Sequence, residues 1–468
     1  MLRSVTRRDL YWAYIAQALN VGGGLVLLPI LLRCLPTEDV GLWFVFISLA
    51  SLAQLPELGF QPTLARNMAY VYSGARSLGA RGVPQQVSPD GRLSIALLAA
   101  LIATSRRIYR IVGCIGAVLL LVSGTAYIST VIVPAQDPAE SIAAWVAYSG
   151  GYVVSLFFGY FNALLQGRGD VAQANKVVVI ARGGQVLLGG GAVLAGYGLL
   201  GLGVASLVAS VVGRWLARRY FFDSSRPEME AVGAVDAAHY GDLTKTLWYN
   251  ASRQGAVNLG AFLIQRGNIL LASSFLGLGA AASYGMTVTI LMALSGVSAV
   301  ICQIQLPHIS RMQAVNGMPS LQGLFGEIVI LAWATYSAGL AVLIIGGQPF
   351  LDQLGSSTEL LGTTALVLLG LIFLLELNHG ISASYLTTTN QVPFLEAALV
   401  SGAATAILGF VLVQHWGIWG LIVVQGAVQV AYNNWKWPSQ AAAGTRRPAP
   451  ARTPSPRTSR PVVRCTSR

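Results

Sequence analysis

The sequence predicts an all-α integral membrane protein of about twelve transmembrane helices, arranged as two six-helix lobes related by pseudo-two-fold symmetry. Three observations predict this class. Hydrophobic residues make up 54% of the 468 residues, charged residues make up only 10%, and the mean hydropathy of +0.62 is far above that of a soluble domain. The apolar residues form long runs, and the basic residues cluster between alternate runs. A local pattern also recurs in the two halves of the chain.

The apolar runs have the length that a bilayer requires. A transmembrane helix needs about 20 apolar residues to cross a hydrocarbon core roughly 30 Å thick. Twelve runs come near this length, at residues 10–32, 40–59, 108–133, 141–165, 177–195, 199–222, 246–275, 280–306, 325–346, 360–386, 394–413 and 416–435. The apolar stretch Leu93–Thr104 is shorter and has arginines on both sides. We therefore expect an interfacial or core helix there, not a further span.

The charges between these runs predict the orientation of the chain. Twenty-six of the 30 Lys and Arg residues lie on one side of the twelve-helix topology, whereas the opposite gaps carry mostly acids and a single base, Arg33. Cytoplasmic loops are the ones enriched in Lys and Arg, so both termini should be cytoplasmic. The net charge of +12 then reflects membrane orientation and a basic tail, and does not indicate nucleic-acid binding.

The two halves of the chain repeat a spacing of glycine and proline. Gly41 precedes Pro62 by 21 residues near the second run, and Gly285 precedes Pro307 by 22 residues near the eighth. Six spans per half return the chain to the same side, so the repeats should be parallel, related by an axis along the membrane normal. We predict an N-terminal lobe at 1–222, a cytoplasmic linker at 223–245, a C-terminal lobe at 246–437 and a disordered, basic, Pro/Arg-rich tail at 438–468. The tail is either dispensable or attracted to a lipid surface.

No sequence motif indicates catalysis or metal binding. The four cysteines are scattered, and neither a phosphate-binding glycine loop nor a cluster of His and Cys residues is present. We therefore expect a protein that is not an enzyme and has no resident cofactor or metal. Polar groups at membrane depth are the residues of interest, because they are costly there and usually face a cavity or a partner.

The seventh run contains a stripe of such polar groups. At 100° per residue, six side chains fall within an arc of about 140° on one helix face. They are Asn250, Arg253, Gln254, Asn258, Gln265 and Asn268. Arg266 falls off this arc but is also a candidate for the cavity described next. The stripe predicts the wall of a water-filled cationic cavity that accepts an anion, because the fixed donors of arginine match phosphate oxygens. The alternative is a set of interhelical polar contacts, with the arginines extending to the nearest leaflets.

The tenth run places a carboxylate and an imidazole near the middle of the membrane. Glu376 and His379 could carry a coupling proton or sodium ion. Equally, Glu376 could be a static partner of Arg253. Gln17 and Asn20 in the first run are weaker candidates for the cavity wall.

The chain resembles the membrane proteins of bacterial polysaccharide biosynthesis that flip lipid-linked oligosaccharides, the O-antigen flippases among them. The resemblance covers residues 1–438, and no single stretch is diagnostic. The matching stretches are Leu28-Pro29 to Gly41-Leu42-Trp43, Glu57-Leu58-Gly59-Phe60, Ala65-Arg66-Asn67, Arg106-Arg107-Ile108-Tyr109, Trp248 to Gly277, Ser283-Tyr284-Gly285 and Tyr432-Asn433-Asn434-Trp435-Lys436-Trp437-Pro438. The Pro/Arg-rich tail departs from the family.

This resemblance implies the fold of the multidrug and toxic-compound extruders, which form two six-helix lobes around a central cavity. It implies an undecaprenyl-diphosphate-linked sugar as substrate, moved to the outer leaflet of the bacterial inner membrane by alternating access. Its expected partners are this substrate, membrane lipids and other polysaccharide assembly proteins, with no nucleic acid. Two alternatives stay open: an ion-coupled exporter of drugs or metabolites, and a membrane polysaccharide polymerase or ligase.

Overall fold

The structure is a computed structural model that describes residues 7–79, 92–131, 138–223, 228, 232, 243–314, 320–387 and 394–446. In the N-lobe, the helices are α1 (Arg7–Cys34), α2 (Thr37–Leu58), α3 (Phe60–Tyr72), α4 (Ile95–Ala117), a π-helical segment (Val118–Gly124), α5 (Thr125–Val131), α6 (Pro138–Phe158), α7 (Tyr160–Arg168), α8 (Val171–Leu194) and α9 (Gly198–Phe221). In the C-lobe, they are α10 (Thr244–Gln265), α11 (Gly267–Phe275), α12 (Leu278–Ala314), α13 (Ser320–Leu354), α14 (Thr363–Thr387), α15 (Leu395–Trp416), α16 (Ile418–Ala431) and α17 (Asn433–Arg446).

The described helices can be followed as twelve lengthwise passes through the bundle. Within the described residues, ten helices are long and apolar enough to cross a membrane. The other two passes are divided, between α10 and α11 at Arg266 and between α16 and α17 at Tyr432. An even number of passes places the start of α1 and the end of α17 on the same side. We call this side the terminal end and the opposite side the far end.

The boundaries differ from the sequence prediction in three places. The second pass does not stop at residue 59, because α3 continues it to Tyr72 after a break at Gly59. Leu93–Thr104 is not a separate helix: α4 begins at Ile95 and runs directly into the third pass, and its first turns are buried against α3 and α7. The last helix continues to Arg446, so helical structure extends into the segment predicted as tail. The rest of that tail, and most of the linker predicted at 223–245, lie outside the described residues.

Glycines allow the two lobes to touch at the far end. A Cβ atom on Gly41 of α2 would collide with the carbonyl group of Leu278, at the start of α12. In the reverse direction, a Cβ atom on Gly285 of α12 would meet the ring of Phe44 on α2, at 2.7 Å from its Cγ. Gly41 and Gly285 are the residues that occupy equivalent places in the sequence repeat. The two lobes therefore use matching positions to approach one another.

Hydrogen bonds between the lobes reinforce this contact. Tyr127 of α5 donates its hydroxyl to the carbonyl oxygen of Leu270 on α11 at 2.7 Å, and its oxygen lies 2.8 and 2.7 Å from the hydroxyls of Ser273 and Ser274. The Thr37 hydroxyl donates to the carbonyl oxygen of Ser357, also from one lobe to the other, at 2.8 Å. We call this contact between the lobes at the far end the seam. The far end of the molecule is therefore closed in this structure.

Candidate functional site

A large polar cavity lies inside the N-lobe. Its volume is about 760 Å³, and its walls come from α1, α2, α6, α8 and α9, with α12 and the break before α11 on the side of the C-lobe. The uncharged polar residues in the wall are Asn20, Ser51, Gln54, Gln61, Tyr148, Tyr152, Ser155, Asn162, Gln185, Ser206, Ser210 and Thr289. We call this space the N-lobe cavity. Its size lies in the usual range of ligand sites, roughly 300–1,000 Å³.

Basic charge dominates the N-lobe cavity. Among the described residues that line it, the charged ones are Arg182 on α8, Arg214 on α9, Arg266 before α11, and a single acid, Glu57, near the end of α2. Each arginine comes from a different helix, so their guanidinium groups enter the cavity from different walls. The cavity therefore favours an anion.

Arg182 is held by a short chain of hydrogen bonds along the wall. Its guanidinium donates to the Gln185 side-chain oxygen at 3.3 Å, one helical turn further along α8. Gln185 donates in turn to the hydroxyl of Ser206 on α9 at 3.0 Å. Both partners are neutral, so they orient Arg182 and leave its positive charge uncompensated.

Arg266 stands at the break between α10 and α11. Its backbone has φ −119° and ψ −25°, and the new helix begins at the next residue, Gly267. One terminal nitrogen of its guanidinium is buried and has no hydrogen-bond partner in the part of the chain that the structure describes. A buried donor without a partner is costly, so this nitrogen is suited to an oxygen of a bound ligand.

Two tyrosines of α6 line the N-lobe cavity together with the arginines. The hydroxyl of Tyr152 donates to the side-chain oxygen of Gln54 at 2.9 Å and lies within electrostatic range of all three arginines. The rings of Tyr148 and Tyr152 are tilted by 41° with 6.0 Å between their centroids, and the Tyr148 hydroxyl is in range of Arg182 and Arg266. The arginines thus converge on the tyrosine side of the cavity.

A smaller cavity of about 240 Å³ lies in the C-lobe and contains Gln265, Ser295, Gln303, Glu376 and Ser384 among its polar wall residues. Met292 and Gly296 of α12 line both this C-lobe cavity and the N-lobe cavity. The two spaces are therefore separated by the wall that α12 provides.

Glu376 belongs to a buried polar network behind the C-lobe cavity. Gln425 of α16 donates to its Oε1 at 3.0 Å, while Asn268 of α11 donates to the Tyr284 hydroxyl at 3.1 Å and to Gln425 at 3.4 Å. Within the described residues, the second carboxylate oxygen of Glu376 is buried and has no hydrogen-bond partner. The sequence left open a static pair of Glu376 with Arg253. In the structure, Gln425 is the partner of Glu376, and the Arg253 guanidinium lies over the Tyr249 ring at 4.8 Å.

The structure distributes the polar stripe of the seventh run over three surroundings. Arg253 and Gln254 are exposed on α10, and Gln254 donates to Asn258 at 3.4 Å. Gln265 lines the C-lobe cavity, and Asn268 is buried in the network with Tyr284. Arg266, which the helical projection placed off the stripe, is the residue of this run that lines the N-lobe cavity. The side chain of Asn250 lies outside the described residues.

The remaining predicted residues are also separated. Gln17 is exposed on α1, whereas Asn20 lines the N-lobe cavity. His379 is half-buried on α14, one turn from Glu376. The structure therefore brings Asn20 and Arg266 to one cavity, and Gln265 and Glu376 to the other.

Sequence reasoning missed Arg182, Arg214 and Glu57 as site residues. Arg182 lies in the middle of the fifth run, and an ionisable residue at that depth is a signal that the sequence does carry. Arg214 follows a long apolar stretch and precedes other arginines, a pattern typical of a helix end, although it lies seven residues before the end of α9. Glu57 was placed near the end of the second run, but the pass continues through α3.

Solved structures with this fold are transporters. An inward-facing multidrug resistance MATE family transporter of the MOP superfamily aligns with a TM-score of 0.67 at 13% identity, over 93% of this chain and 98% of that chain. The MATE multidrug transporter DinF-BH aligns with a TM-score of 0.62 at 13% identity, over 92% and 93%. An outward-facing MATE family transporter of the MOP superfamily gives a TM-score of 0.57 at 14% identity, over 94% and 96%.

No protein-family model and no curated protein matches the sequence. The structural matches show that the chain shares the fold of MATE family transporters of the MOP superfamily, with two lobes related by a pseudo-two-fold axis. The fold class predicted from the sequence is confirmed, and the chain is a multi-pass membrane protein whose structural neighbours are transporters.

Proposed function

We propose that this protein is a flippase that moves an undecaprenyl-diphosphate-linked oligosaccharide from the cytoplasmic to the outer leaflet of the bacterial inner membrane. The observation that carries this proposal is the N-lobe cavity with three arginines and one glutamate. A diphosphate presents several negatively charged oxygens, and guanidinium groups bind such oxygens in pairs. The sequence resemblance to polysaccharide flippases supports the same substrate class.

In this proposal the diphosphate binds among Arg182, Arg214 and Arg266, and amide and hydroxyl groups of the wall bind the sugar. The buried guanidinium nitrogen of Arg266 that has no described partner would gain a phosphate oxygen. The long lipid tail would stay in the bilayer between the lobes, where its apolar surface is kept out of water. Arg253, Gln254 and Asn258 stay candidates for the path by which the head group enters.

The proposed transport mechanism is alternating access, and the closed far end is compatible with one of its states. With both termini in the cytoplasm, as the charge distribution predicts, the far end would face the outside and the present state would be closed to it. Rocking of the lobes would separate the seam at the far end and open the cavity there. We further propose that Glu376, with His379 as a second candidate, couples this motion to a proton or sodium gradient.

An ion-coupled exporter of drugs or metabolites is the second candidate, favoured by the fold alone. It is weaker for cationic drugs, because three arginines repel a cation. A membrane polymerase or ligase is a weaker candidate still. Assembly of a surface polysaccharide would place this flippase next to other polysaccharide assembly proteins, which remain proposed partners.

Mass spectrometry of lipid extracts tests the proposal. A deletion strain should accumulate a diphosphate-linked oligosaccharide, and the wild-type gene should clear it. Arg182→Gln and Arg266→Gln should fail to clear it, whereas Arg33→Gln should succeed, because Arg33 is exposed at the far end of α1. An unchanged lipid-linked pool in the deletion strain would contradict the flippase function and favour export of another substrate.

A further inference from the structure

Glu57 is the acid in the wall of the N-lobe cavity, and the proposed function gives it no role. Its side chain is only 3% exposed, although Gln54 on α2 and Gln61 on α3 line the same cavity on either side of it. Gln61 donates to its Oε1 at 3.1 Å. A buried carboxylate without a compensating charge is costly, so its position beside a basic cavity needs an explanation.

Packing fixes where this carboxylate sits. Gly159, at the break between α6 and α7, lies directly against Oε1 of Glu57, and a Cβ atom at this glycine would collide with that oxygen. The ring of Tyr109 closes the same side, at 3.1 Å from the position of that Cβ. The carboxylate therefore has little room to turn away from the cavity.

Arg214 is the arginine of this cavity whose charge acts on Glu57. Both residues line the cavity, Glu57 from α2 and Arg214 from α9. Arg182 is held by the neutral chain of Gln185 and Ser206, and a nitrogen of Arg266 has no described partner. Of the three arginines, Arg214 is thus the one whose charge a resident acid partly neutralises.

We infer that Glu57 is an internal counter-anion that competes with the phosphates of the substrate for Arg214. This inference rests on the proposed anion-binding function of the cavity. When a diphosphate enters, it takes over Arg214 and comes to lie near a carboxylate of the same sign. The repulsion weakens binding of the anion, and after the lobes have rocked it favours release. Glu57 therefore determines how long an anionic head group stays in the cavity.

Removing the negative charge of Glu57 should increase the affinity of the cavity for a diphosphate. Glu57→Gln keeps the shape of the side chain and a hydrogen bond to Gln61 but removes the negative charge. The variant removes the close-range repulsion between the Glu57 carboxylate and the phosphates. At an effective dielectric constant of about 20, this should tighten the affinity for a diphosphate by roughly 10- to 100-fold. Turnover should fall at the same time, because release becomes slower.

Calorimetry on the purified full-length protein in detergent, with geranyl diphosphate as the probe, tests this inference. Wild type should bind the probe, Glu57→Asp should bind it like wild type, and Glu57→Gln should bind it more tightly. Glu57→Ala provides a second neutral variant in case the glutamine variant fails to fold. Equal or weaker binding by a folded neutral variant would overturn the role of Glu57.

Variants of the arginines separate this result from a failure of the proposed function. If Arg266→Gln and Arg182→Gln weaken binding but Glu57→Gln does not tighten it, the anion site stands and the counter-anion role is wrong. If wild type does not bind the probe, both are wrong. In the background of Arg214→Gln, replacing Glu57 by glutamine should still tighten binding but by a smaller factor, because the competition for Arg214 is gone while the repulsion between Glu57 and the phosphates remains.

Discussion

Replacing Tyr127 with phenylalanine removes one hydroxyl from the seam between the lobes at the far end. This hydroxyl has one proton to donate, which goes to the Leu270 carbonyl oxygen at 2.7 Å. Its oxygen can accept from Ser273 and Ser274, whose hydroxyls lie at 2.8 and 2.7 Å. These bonds exist only while α5 of the N-lobe touches α11 of the C-lobe. Phenylalanine keeps the ring, so the change isolates the hydroxyl.

The expected cost follows from the bonds that are lost and from what replaces them. A buried hydrogen bond contributes about 0.5–1.5 kcal/mol net. The Leu270 carbonyl oxygen is not left unpaired in the variant, because the Ser273 and Ser274 hydroxyls can donate to it, at 3.0 and 2.9 Å. We therefore expect the far-end-closed state to lose about 1–2 kcal/mol, below the full value of three bonds. The equilibrium should move toward the far-end-open state by roughly 5- to 30-fold.

Spin-label distance measurements can follow this equilibrium. With the four native cysteines replaced, labels at Tyr197→Cys and Glu359→Cys report on the far ends of the two lobes, where both positions are exposed. Tyr127→Phe should increase the population at long distance. Ser129→Ala is the matched control, because its hydroxyl bonds within α5, to the Ala126 carbonyl oxygen at 2.7 Å. Identical distance distributions for the two variants would refute the seam as a contributor to closure.

Three further substitutions probe packing, coupling and a buried pair. Gly41→Ala should lower the free energy of unfolding by about 1–3 kcal/mol, because the added Cβ atom meets a backbone carbonyl. Gly22→Ala is the control and should be tolerated, because its Cβ atom faces open space. Thermal unfolding of both variants in detergent tests this. Glu376→Gln should leave the affinity for a diphosphate unchanged within about twofold. It should abolish gradient-driven transport in proteoliposomes, and transport that still depends on the gradient would contradict the coupling role of Glu376. Asp170→Ala should destabilise the protein by about 3–5 kcal/mol, because the buried guanidinium of Arg168 loses the carboxylate that balances its charge, although the carbonyl oxygens of Tyr220 and Phe221 still accept from it. A thermal unfolding curve like that of wild type would count against this.

The number and order of the passes could be predicted because they depend on length and apolarity, which the sequence states directly. The positions at which the helices break could not be predicted from the sequence. Gly59 and Gly159 lie at helix boundaries that hydropathy does not mark. Each has a close neighbour from elsewhere in the chain that leaves no room for a Cβ atom: the Ala251 backbone for Gly59 and the Glu57 carboxylate for Gly159. Such contacts depend on the three-dimensional packing of the helices.

The candidate site was harder to predict than the fold for a related reason. The polar stripe was projected on a straight helix, but the seventh pass breaks at Arg266, so a single projection does not hold on both sides of the break. As a result, Arg266 lines the N-lobe cavity, whereas Asn268 is buried in the polar network of the C-lobe. Arg182 was within reach of prediction, since its depth in the fifth run follows from the sequence. Its convergence with Arg214 depends on how α8 packs on α9, which the sequence does not show.

The reciprocal glycine contacts at the far end bear on how the lobes move. Gly41 receives the α12 backbone, and Gly285 receives the ring of Phe44 on α2, so each lobe both supplies and fills a small recess. The two contacts lie on the same pair of helices, a few residues apart. A rigid rotation that separates these helices at the far end has to break both contacts together, and re-forming one aligns the other. Opening should therefore be cooperative, with few molecules caught half-open, and a substitution at either glycine should perturb the same transition.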